Sequence, residues 1–271
     1  MPRIPHRGSW VTTLVTASAL AFGPSGCGGN GLTPRDGTTK QAPSASGTAT
    51  GSAHNPQRPQ RPADCRRAKC VALTFDDSPS ARTPRILDIL RRYGVHATFF
   101  TLGKHHVRKY PGTVGRMAAE GHEVETLTWS HRILTEISPA DARKEITQGR
   151  DAVAKVIGHR PVLLRPPEGR TNATVTAICR QLGMAQVLWS ASASDYQTTD
   201  SGLISSRILA ETGPGGIILL HDLVDPTNRG YNGTVAAIPG IISALKARGY
   251  TFVTITELLA PARPRPGAVY E

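Results

Sequence analysis

Several side chains that can move a proton or hold a cation lie in the middle of this 271-residue chain. Asp76 and Asp77 are adjacent, and two such carboxylates repel each other unless a cation or an arginine compensates their charge. The simplest division gives one carboxylate to a metal ion and leaves the other to accept a proton. His131 is of a type that binds zinc, and His221, which titrates near neutral pH, can act as a general acid.

Two further residues have the chemistry to tune such a centre. Arg165 can hold a carboxylate through paired hydrogen bonds, and Asp195 can orient an imidazole and raise its pKa. Together the six residues predict metal-assisted hydrolysis, in which a water molecule is activated, a base accepts its proton and an acid protonates the leaving group.

The segments that carry these residues alternate between apolar runs and amphipathic stretches. Seven apolar runs predict strands, at residues 71–75, 96–100, 122–127, 162–165, 186–190, 216–220 and 250–255. Six stretches with apolar residues three and four positions apart predict helices, at residues 83–94, 113–121, 139–158, 172–183, 203–213 and 234–249. This alternation indicates a parallel sheet with both faces covered. Seven β–α units suit a distorted, TIM-like (β/α)7 barrel, and a doubly wound sheet is the alternative.

The candidate residues follow successive predicted strands. Asp76 and Asp77 end the first strand, and the others end or follow the third to sixth strands: His131, Arg165, Asp195 and His221. The carboxyl ends of barrel strands converge on one face, where active sites lie. We therefore expect these side chains to share one cleft.

The segment Val71-Ala-Leu-Thr-Phe-Asp76-Asp77-Ser-Pro resembles the first motif of the polysaccharide deacetylases, which have a NodB homology domain and form carbohydrate esterase family 4. The resemblance covers roughly residues 65–260 and includes four more segments in order: Gly121 to His131, Arg165-Pro166-Pro167, Trp189 with Asp195-Tyr196, and Leu219-Leu220-His221-Asp222. Five ordered motifs over a whole domain are far more specific than one short pattern.

The resemblance implies a NodB-type barrel that removes acetyl groups from N-acetylated or O-acetylated cell-wall glycans, such as peptidoglycan or chitin-like oligomers. It implies Asp76 as general base held by Arg165, and His221 as general acid tuned by Asp195. It also implies a divalent metal, usually zinc, bound by Asp77 and His131. We expect the substrate to lie against the residues around these motifs: Pro166, Pro167, Glu168, Tyr196 and Leu219.

Two departures from the family pattern concern the metal and the cleft. The family places a histidine ligand where this chain has Leu127, and leucine has no lone pair to donate. Glu125 shares a strand face with Leu127 because side chains alternate, so Glu125 is a candidate substitute ligand. Glu168 replaces a usual tyrosine and adds a charge to the expected rim of the cleft.

These departures leave more than one function open. A deacetylase with a weakened or altered metal site is the first interpretation. A catalytically impaired glycan-binding protein, whose metal site has degenerated at Leu127, is the second. A hydrolase that uses another metal or another acyl substrate is the third.

The first 64 residues differ in kind from the rest of the chain. Residues 1–27 predict a secretory signal, with Arg3 and Arg7 before a short apolar run and a lipobox-like end at Cys27 that would be acylated. An ordinary signal with a chance cysteine is the alternative. Residues 28–64 lack large apolar side chains and predict a disordered linker. Residues 261–271 predict a disordered tail.

Export also governs how the cysteines and the charge are interpreted. Outside the cytosol, Cys65 and Cys70 predict a disulfide bond, and Cys179, in an apolar helical stretch, predicts a buried thiol. The formal net charge is +12. Nucleic acid is a poor partner for an exported protein, so this charge indicates either an anionic cell envelope or an ordinary solvated basic surface. We expect a monomer that is secreted into the cell wall or held at the outer face of the membrane.

Overall fold

The computed structural model describes residues 63–222 and 232–271. The predicted signal, the acylation site Cys27 and the predicted linker up to residue 62 lie outside the described residues. In the part that the structure describes, no helix combines the length and the apolar character needed to cross a membrane.

Nine strands form one sheet in which every pair is parallel. They are β1 (Lys69–Ser78), β2 (Thr98–Thr101), β3 (Glu123–Thr126), β4 (Leu163–Leu164), β5 (Ala185–Val187), β6 (Ala191–Ser192), β7 (Gly216–His221), β8 (Tyr250–Val253) and β9 (Val269–Tyr270). The spatial order is β6-β7-β1-β2-β3-β4-β5-β9, and β8 pairs with the first half of β1. The sheet curls into a half-barrel, so the predicted distorted (β/α)7 architecture is confirmed.

Seven helices accompany the strands within the described residues. They are α1 (Thr83–Tyr93), α2 (Pro111–Ala119), α3 (Pro139–Ile157), α4 (Ala173–Gln181), α5 (Ser201–Glu211), α6 (Asn232–Ala247) and α7 (Ile255–Leu259). The first six confirm the six predicted helices. The seventh is a short helix whose Thr254 and Glu257 cap each other's backbone amides, an arrangement that stabilises a helix start.

The long strand β1 separates two apolar layers because its side chains alternate between its faces. Val71, Leu73 and Phe75 pack in a cluster that includes apolar residues of α1, α5 and α6. Ala72 belongs to a second cluster, together with buried residues of the other strands and of α7. Along the Ala72 face the residues become polar toward the carboxyl end of the strand, where Thr74 and then Asp76 follow. This change of polarity marks the end of the sheet at which chemistry is possible.

The chain after residue 260 is ordered, so the prediction of a disordered tail is wrong. The strand β9 pairs with β5, and the amides of Gln186 and Leu188 donate to the carbonyls of Ala268 and Tyr270 at 2.8 and 2.7 Å. The low apolar content of the tail concealed this pairing, because edge pairing depends on backbone groups.

The cysteine predictions are confirmed. Cys65 and Cys70 form a disulfide bond with a Cα–Cα distance of 5.3 Å, next to the start of β1. Cys179 is a free and fully buried thiol.

Candidate active site

The carboxyl end of β1 carries both aspartates into one cleft. In a regular strand, Asp76 and Asp77 would point to opposite faces. Here the pairing with β2 shifts by one residue between Phe75 and Ser78, and Asp77 has a positive φ of 57°. Such a bulge bends a strand and redirects its side chains, so both carboxylates line the same cleft.

Asp76 is held by a fully buried arginine. Nη1 of Arg165 donates to Oδ1 of Asp76 at 2.7 Å and to Oγ1 of Thr74 at 2.7 Å, and Nη2 donates to the Leu188 carbonyl at 2.8 Å. The guanidinium also lies over the Phe100 ring, 4.1 Å from its centre. Burial raises the pKa of Asp76, although the charge of Arg165 opposes that shift. The result is a fixed carboxylate with more affinity for a proton than an exposed aspartate.

His221 ends the neighbouring strand β7, directly beside Asp76. Asp76 and His221 are register partners in the β1–β7 pair, so their backbones are adjacent. Nδ1 of His221 lies 2.8 Å from Oδ1 of Asp195, whose other oxygen accepts hydrogen bonds from the His221 amide and from Oγ1 of Thr234. Burial alone would lower the pKa of His221, but the Asp195 hydrogen bond and the nearby carboxylates raise it overall.

Asp77 and His131 are the two residues predicted to bind a metal. Oδ1 of Asp77 lies 3.9 Å from Nε2 of His131. The loop that presents His131 is tied to α3, because the buried carboxylate of Glu145 accepts from the amide and the hydroxyl of Ser130 at 2.8 and 2.7 Å. A Cβ at Gly149 on α3 would lie 2.4 Å from the Thr128 backbone, so glycine is required for this close packing.

The described residues of this chain do not supply the three protein ligands that the metal implied by the family would need. Catalytic zinc sites usually have three protein ligands, and of the residues that the family pattern assigns to the metal this chain keeps two, Asp77 and His131. Leu127 is 1 % exposed and packs in the apolar cluster inside the sheet. Among the described residues, no group of three or more acidic, histidine or cysteine side chains is placed to hold a metal ion.

The prediction of Glu125 as a substitute ligand is wrong. Its buried carboxylate accepts from the Leu163 amide at 2.7 Å, and burial raises its pKa well above the usual value. Glu125 does share a strand face with Leu127, but a step of two residues along a strand moves a side chain about 6–7 Å toward the opposite end of the sheet. Alternation therefore identified the face correctly but placed the carboxylate at the wrong depth.

The cleft has a volume of about 420 Å³. Seven residues predicted for the site line it together: Asp76, Asp77, His131, Glu168, Tyr196, Leu219 and His221. Arg165 and Asp195 are buried behind it, and Pro166 and Pro167 are buried in the backbone that leads to Glu168. Trp189 and Ser192 also line the cleft, and Trp189 packs against the apolar cluster inside the sheet as well. Their position shortly after β5 in the chain was the signal that could have identified them.

Backbone strain is concentrated around this cleft. Five non-glycine residues of the described chain have a positive φ: Asp77, Thr128, His131, Glu168 and Ser194. Three of them line the cleft, and the other two lie close in sequence to His131 and Asp195. Non-glycine residues in this region cost of order 1–3 kcal/mol each and cluster at functional sites. The folded structure thus maintains an unfavourable backbone where the candidate chemistry lies.

Comparison with known proteins agrees with this geometry. A family model described as polysaccharide deacetylase matches residues 63–187. The solved structure titled T48 deacetylase with substrate is 36% identical, with a TM-score of 0.71, and the match covers 77% of this chain and 100% of that chain. The chain belongs to the polysaccharide deacetylase family. The peptidoglycan-N-acetylmuramic acid deacetylase PdaC of Bacillus subtilis is 39% identical over 70% of the chain, but the match covers 38% of that relative's length.

Two further structures of this family bear on the metal and on activity. A family 4 acetyl xylan esterase from Clostridium thermocellum, solved with a cobalt ion, is 34% identical with a TM-score of 0.67, and the match covers 74% of this chain and 97% of that chain. A mutant of a family 4 pseudoenzyme with restored enzymatic activity is 26% identical with a TM-score of 0.66, over 73% of this chain and 70% of that chain. The family therefore includes proteins whose native site has lost activity.

Proposed function

We propose that the protein is a hydrolase that removes acetyl groups from an acetylated cell-wall glycan. The observation that carries this proposal is the pairing of Asp76 with His221. A carboxylate fixed by Arg165 and an imidazole fixed by Asp195 end neighbouring strands at the same register and open into one cleft. This is the arrangement that a base and an acid need on either side of a reacting acyl group.

The proposed reaction uses these residues in two steps. Asp76 accepts a proton from a water molecule as that water adds to the acetyl carbonyl, forming a tetrahedral intermediate. His221, whose protonated form is favoured because its pKa is raised, then donates a proton to the departing amine or alcohol as the bond to the acetyl carbon breaks. Acetate and a free sugar amine or hydroxyl result, the proton on Asp76 returns to solvent, and His221 takes up a proton again.

Family 4 deacetylases generally depend on a divalent metal, which polarises the carbonyl when it is bound. The two donors of this chain do not complete a catalytic site of that kind, so the steps assigned above belong to the protein's own residues. We propose weak or altered metal binding at Asp77 and His131, and zinc as the first metal to test.

The proposed substrate is a glycan with N-acetyl or O-acetyl groups. PdaC is named for an N-acetylated sugar of peptidoglycan, and the Clostridium relative is named for acetylated xylan. Hydrolysis of an amide demands more of the site than hydrolysis of an ester. An amine is a poorer leaving group than an alcohol, so its departure depends more on a proton from the acid. The position of His221, 2.8 Å from Asp195 and beside Asp76, supports the amide.

The test is acetate release from a chitin oligomer and from peptidoglycan, measured without metal and with added zinc or cobalt. We expect Asp76→Asn to lower kcat/KM by at least about 100-fold, because a general base contributes roughly that much. The control is Glu136→Gln, which makes the same kind of change outside the cleft and should retain activity. Full activity of Asp76→Asn would contradict the proposal.

A second candidate function is a glycan-binding protein without turnover. Leu127 in the ligand position favours it, as does the likeness to a family 4 pseudoenzyme. In that case the protein would bind the chitin oligomer, and the acetate-release assay would detect no product with any added metal.

We also propose that the protein is exported and works at the cell envelope. The disulfide Cys65–Cys70 supports this location, because such bonds persist outside the reducing cytosol. The lipobox-like Cys27 supports a lipid anchor at the outer face of the membrane.

A further inference from the structure

Glu168 is an unusual residue on the wall of the active-site cleft. Its side chain is 59% exposed and lines the same cleft as Asp76, Asp77 and His221. It lies in a short 3-10 turn three residues after Arg165. Arg165, which holds Asp76, and Glu168 at the rim therefore belong to one backbone segment.

The backbone that carries Glu168 is tightly constrained. Pro166 and Pro167 are buried before it, and Glu168 itself has a left-handed conformation with φ 56° and ψ 17°. After it, a Cβ at Gly169 would lie 2.9 Å from the Trp189 ring, so this turn packs directly on an aromatic wall of the cleft. Glu168 is therefore held at a fixed place on the rim.

The charge of Glu168 is only partly compensated. The nearest described cation is Arg170, whose Nη1 lies 3.9 Å from Oε2 of Glu168 but 2.6 Å from Oε1 of Glu136. One guanidinium is thus shared by two carboxylates and lies closer to Glu136. Deeper in the cleft, Arg165 compensates Asp76 while Asp77 adds a further negative charge. The rim of the cleft around Glu168 therefore favours a cationic group and disfavours an anionic one, whereas the proposed acid His221 adds positive charge deeper in the cleft.

We propose that Glu168 selects glycans in which a sugar next to the acetylated one carries a free amine. At a pH where the amine is protonated, an ammonium group can form a charge-assisted hydrogen bond with the Glu168 carboxylate. A sugar with a carboxylate, such as muramic acid, would be disfavoured at the same place. This inference rests on the proposed function, because it assigns a substrate class to that cleft.

The selectivity has a consequence for the order of events on a glycan chain. Each proposed hydrolysis of an N-acetyl group leaves an amine, which is the group that Glu168 binds. A chain that has already lost some acetyl groups is then a better substrate than a fully acetylated one. The protein would act after a first deacetylation and extend it to neighbouring sugars.

Binding to the wild-type protein tests this without requiring turnover. Isothermal titration calorimetry at about pH 6, where a sugar amine is protonated, compares three tetrasaccharides: fully N-acetylated chitotetraose, a chitotetraose with one acetyl group and three amines, and a peptidoglycan tetrasaccharide with muramic acid. We expect the amine-bearing oligomer to bind about two- to fivefold more tightly than the fully acetylated one, and the muramic acid oligomer to bind most weakly. High salt should reduce the preference.

Glu168→Gln should abolish the preference while retaining binding of the neutral oligomer. Asp151→Asn is the matched control, because it removes the charge of an exposed carboxylate that is loosely paired with Arg160 outside the cleft, and it should keep the preference. A preference that survives Glu168→Gln, or equal affinities in the wild type, would overturn the inference and leave the proposed function intact. No binding of any oligomer would overturn both.

Discussion

Leu127 lies four residues before His131, where the family has its first histidine ligand, and its side chain contributes to the apolar interior of the sheet. The substitution removes a lone pair without leaving a polar gap, because the leucine is fully packed. The proton-transfer residues around it keep their partners: Asp76 has Arg165, and His221 has Asp195. The change therefore affects the metal and leaves the acid and the base in place.

Leu127→His should restore the missing donor. We expect zinc affinity to rise by at least about tenfold, since the loss of even an outer partner of a metal ligand changes affinity by that factor. Isothermal titration calorimetry with zinc measures this, and zinc should raise the Tm of the variant more than that of the wild type. Leu127→Ala is the matched control, because it loses the same packing and adds no donor. Equal zinc affinity in all three proteins would show that the ligands lie elsewhere.

The hydrogen bond that His221 donates to Asp195 predicts the alkaline side of the pH–rate profile. The raised pKa of His221 extends its protonated form to higher pH than in an ordinary histidine, and activity should fall as pH rises through that pKa. Asp195→Asn removes the charge that opposes burial, so the alkaline limb should move to lower pH and kcat should fall roughly tenfold or more.

The control for this variant is Asp200→Asn, which makes the same change at the N-cap of α5, where asparagine also caps well. Its pH profile should match that of the wild type. An unmoved alkaline limb in Asp195→Asn would mean that His221 is not the acid.

Sequence reasoning at this scale predicted which residues come together where a residue type and a strand end coincide. Asp76, Arg165 and His221 each combine a distinctive chemistry with the end of an apolar run, and the structure places them at one cleft, while their roles stay predictions. Glu125 was misassigned because periodicity gives the face of a strand and not the distance along it to the site.

The smallest strands have a larger role than their length suggests. The two residues of β9 cover the outer edge of β5, and β5 leads to Leu188, whose carbonyl accepts from Arg165. Because the Leu188 amide also donates to the Tyr270 carbonyl, β9 supports the arginine that holds Asp76. An edge strand thus connects to the proposed base through three successive contacts.

Deleting residues 268–271 should lower the free energy of unfolding by about 2–4 kcal/mol, because two ladder hydrogen bonds and the packing of Tyr270 are lost. We expect kcat to fall as well, since Arg165 loses a firmly placed acceptor. Urea unfolding and acetate release measure the two effects. Removing Glu271 alone is the control and should change little. Unchanged stability after the longer deletion would show that β9 does not support the sheet.

At the scale of elements, the six longer helices and seven strands were predictable because their apolar periodicity extends over several residues. The short strands β6 and β9 were not, because neither lies in an apolar run like the one that predicted the equally short β4. The bulge in β1 was also beyond the sequence, since it depends on how β1 pairs with β2. Local pattern thus predicts where elements lie, and pairing decides how their ends are shaped.

For the molecule as a whole, the sequence predicts a leader and a linker before one folded unit. The structure describes that unit over residues 63–222 and 232–271. The domain boundary near residue 65 stays a prediction, as does the acylation of Cys27. Both concern how the folded unit would be delivered to the proposed glycan.

Cys27→Ser should move the protein from the membrane fraction to the medium, because the acyl chains that hold a lipoprotein are attached through that sulfur. Fractionation with immunoblotting measures the shift, and mass spectrometry of the wild type detects the lipid. Cys179→Ser is the control, since this buried thiol lies within α4 and should leave location unchanged. Membrane association that survives Cys27→Ser would show that another segment holds the protein.

The register pairing of Asp76 with His221 separates the spacing of the proposed base and acid from the residues proposed to set glycan preference. The distance between base and acid is set by the fixed spacing of two hydrogen-bonded strands, whereas Glu168 and Tyr196 belong to short turns after other strands. Turns of this kind can be exchanged between relatives while the strands remain unchanged. The fold therefore provides a scaffold on which glycan preference can be redesigned by grafting rim turns, with the proton-transfer geometry inherited intact.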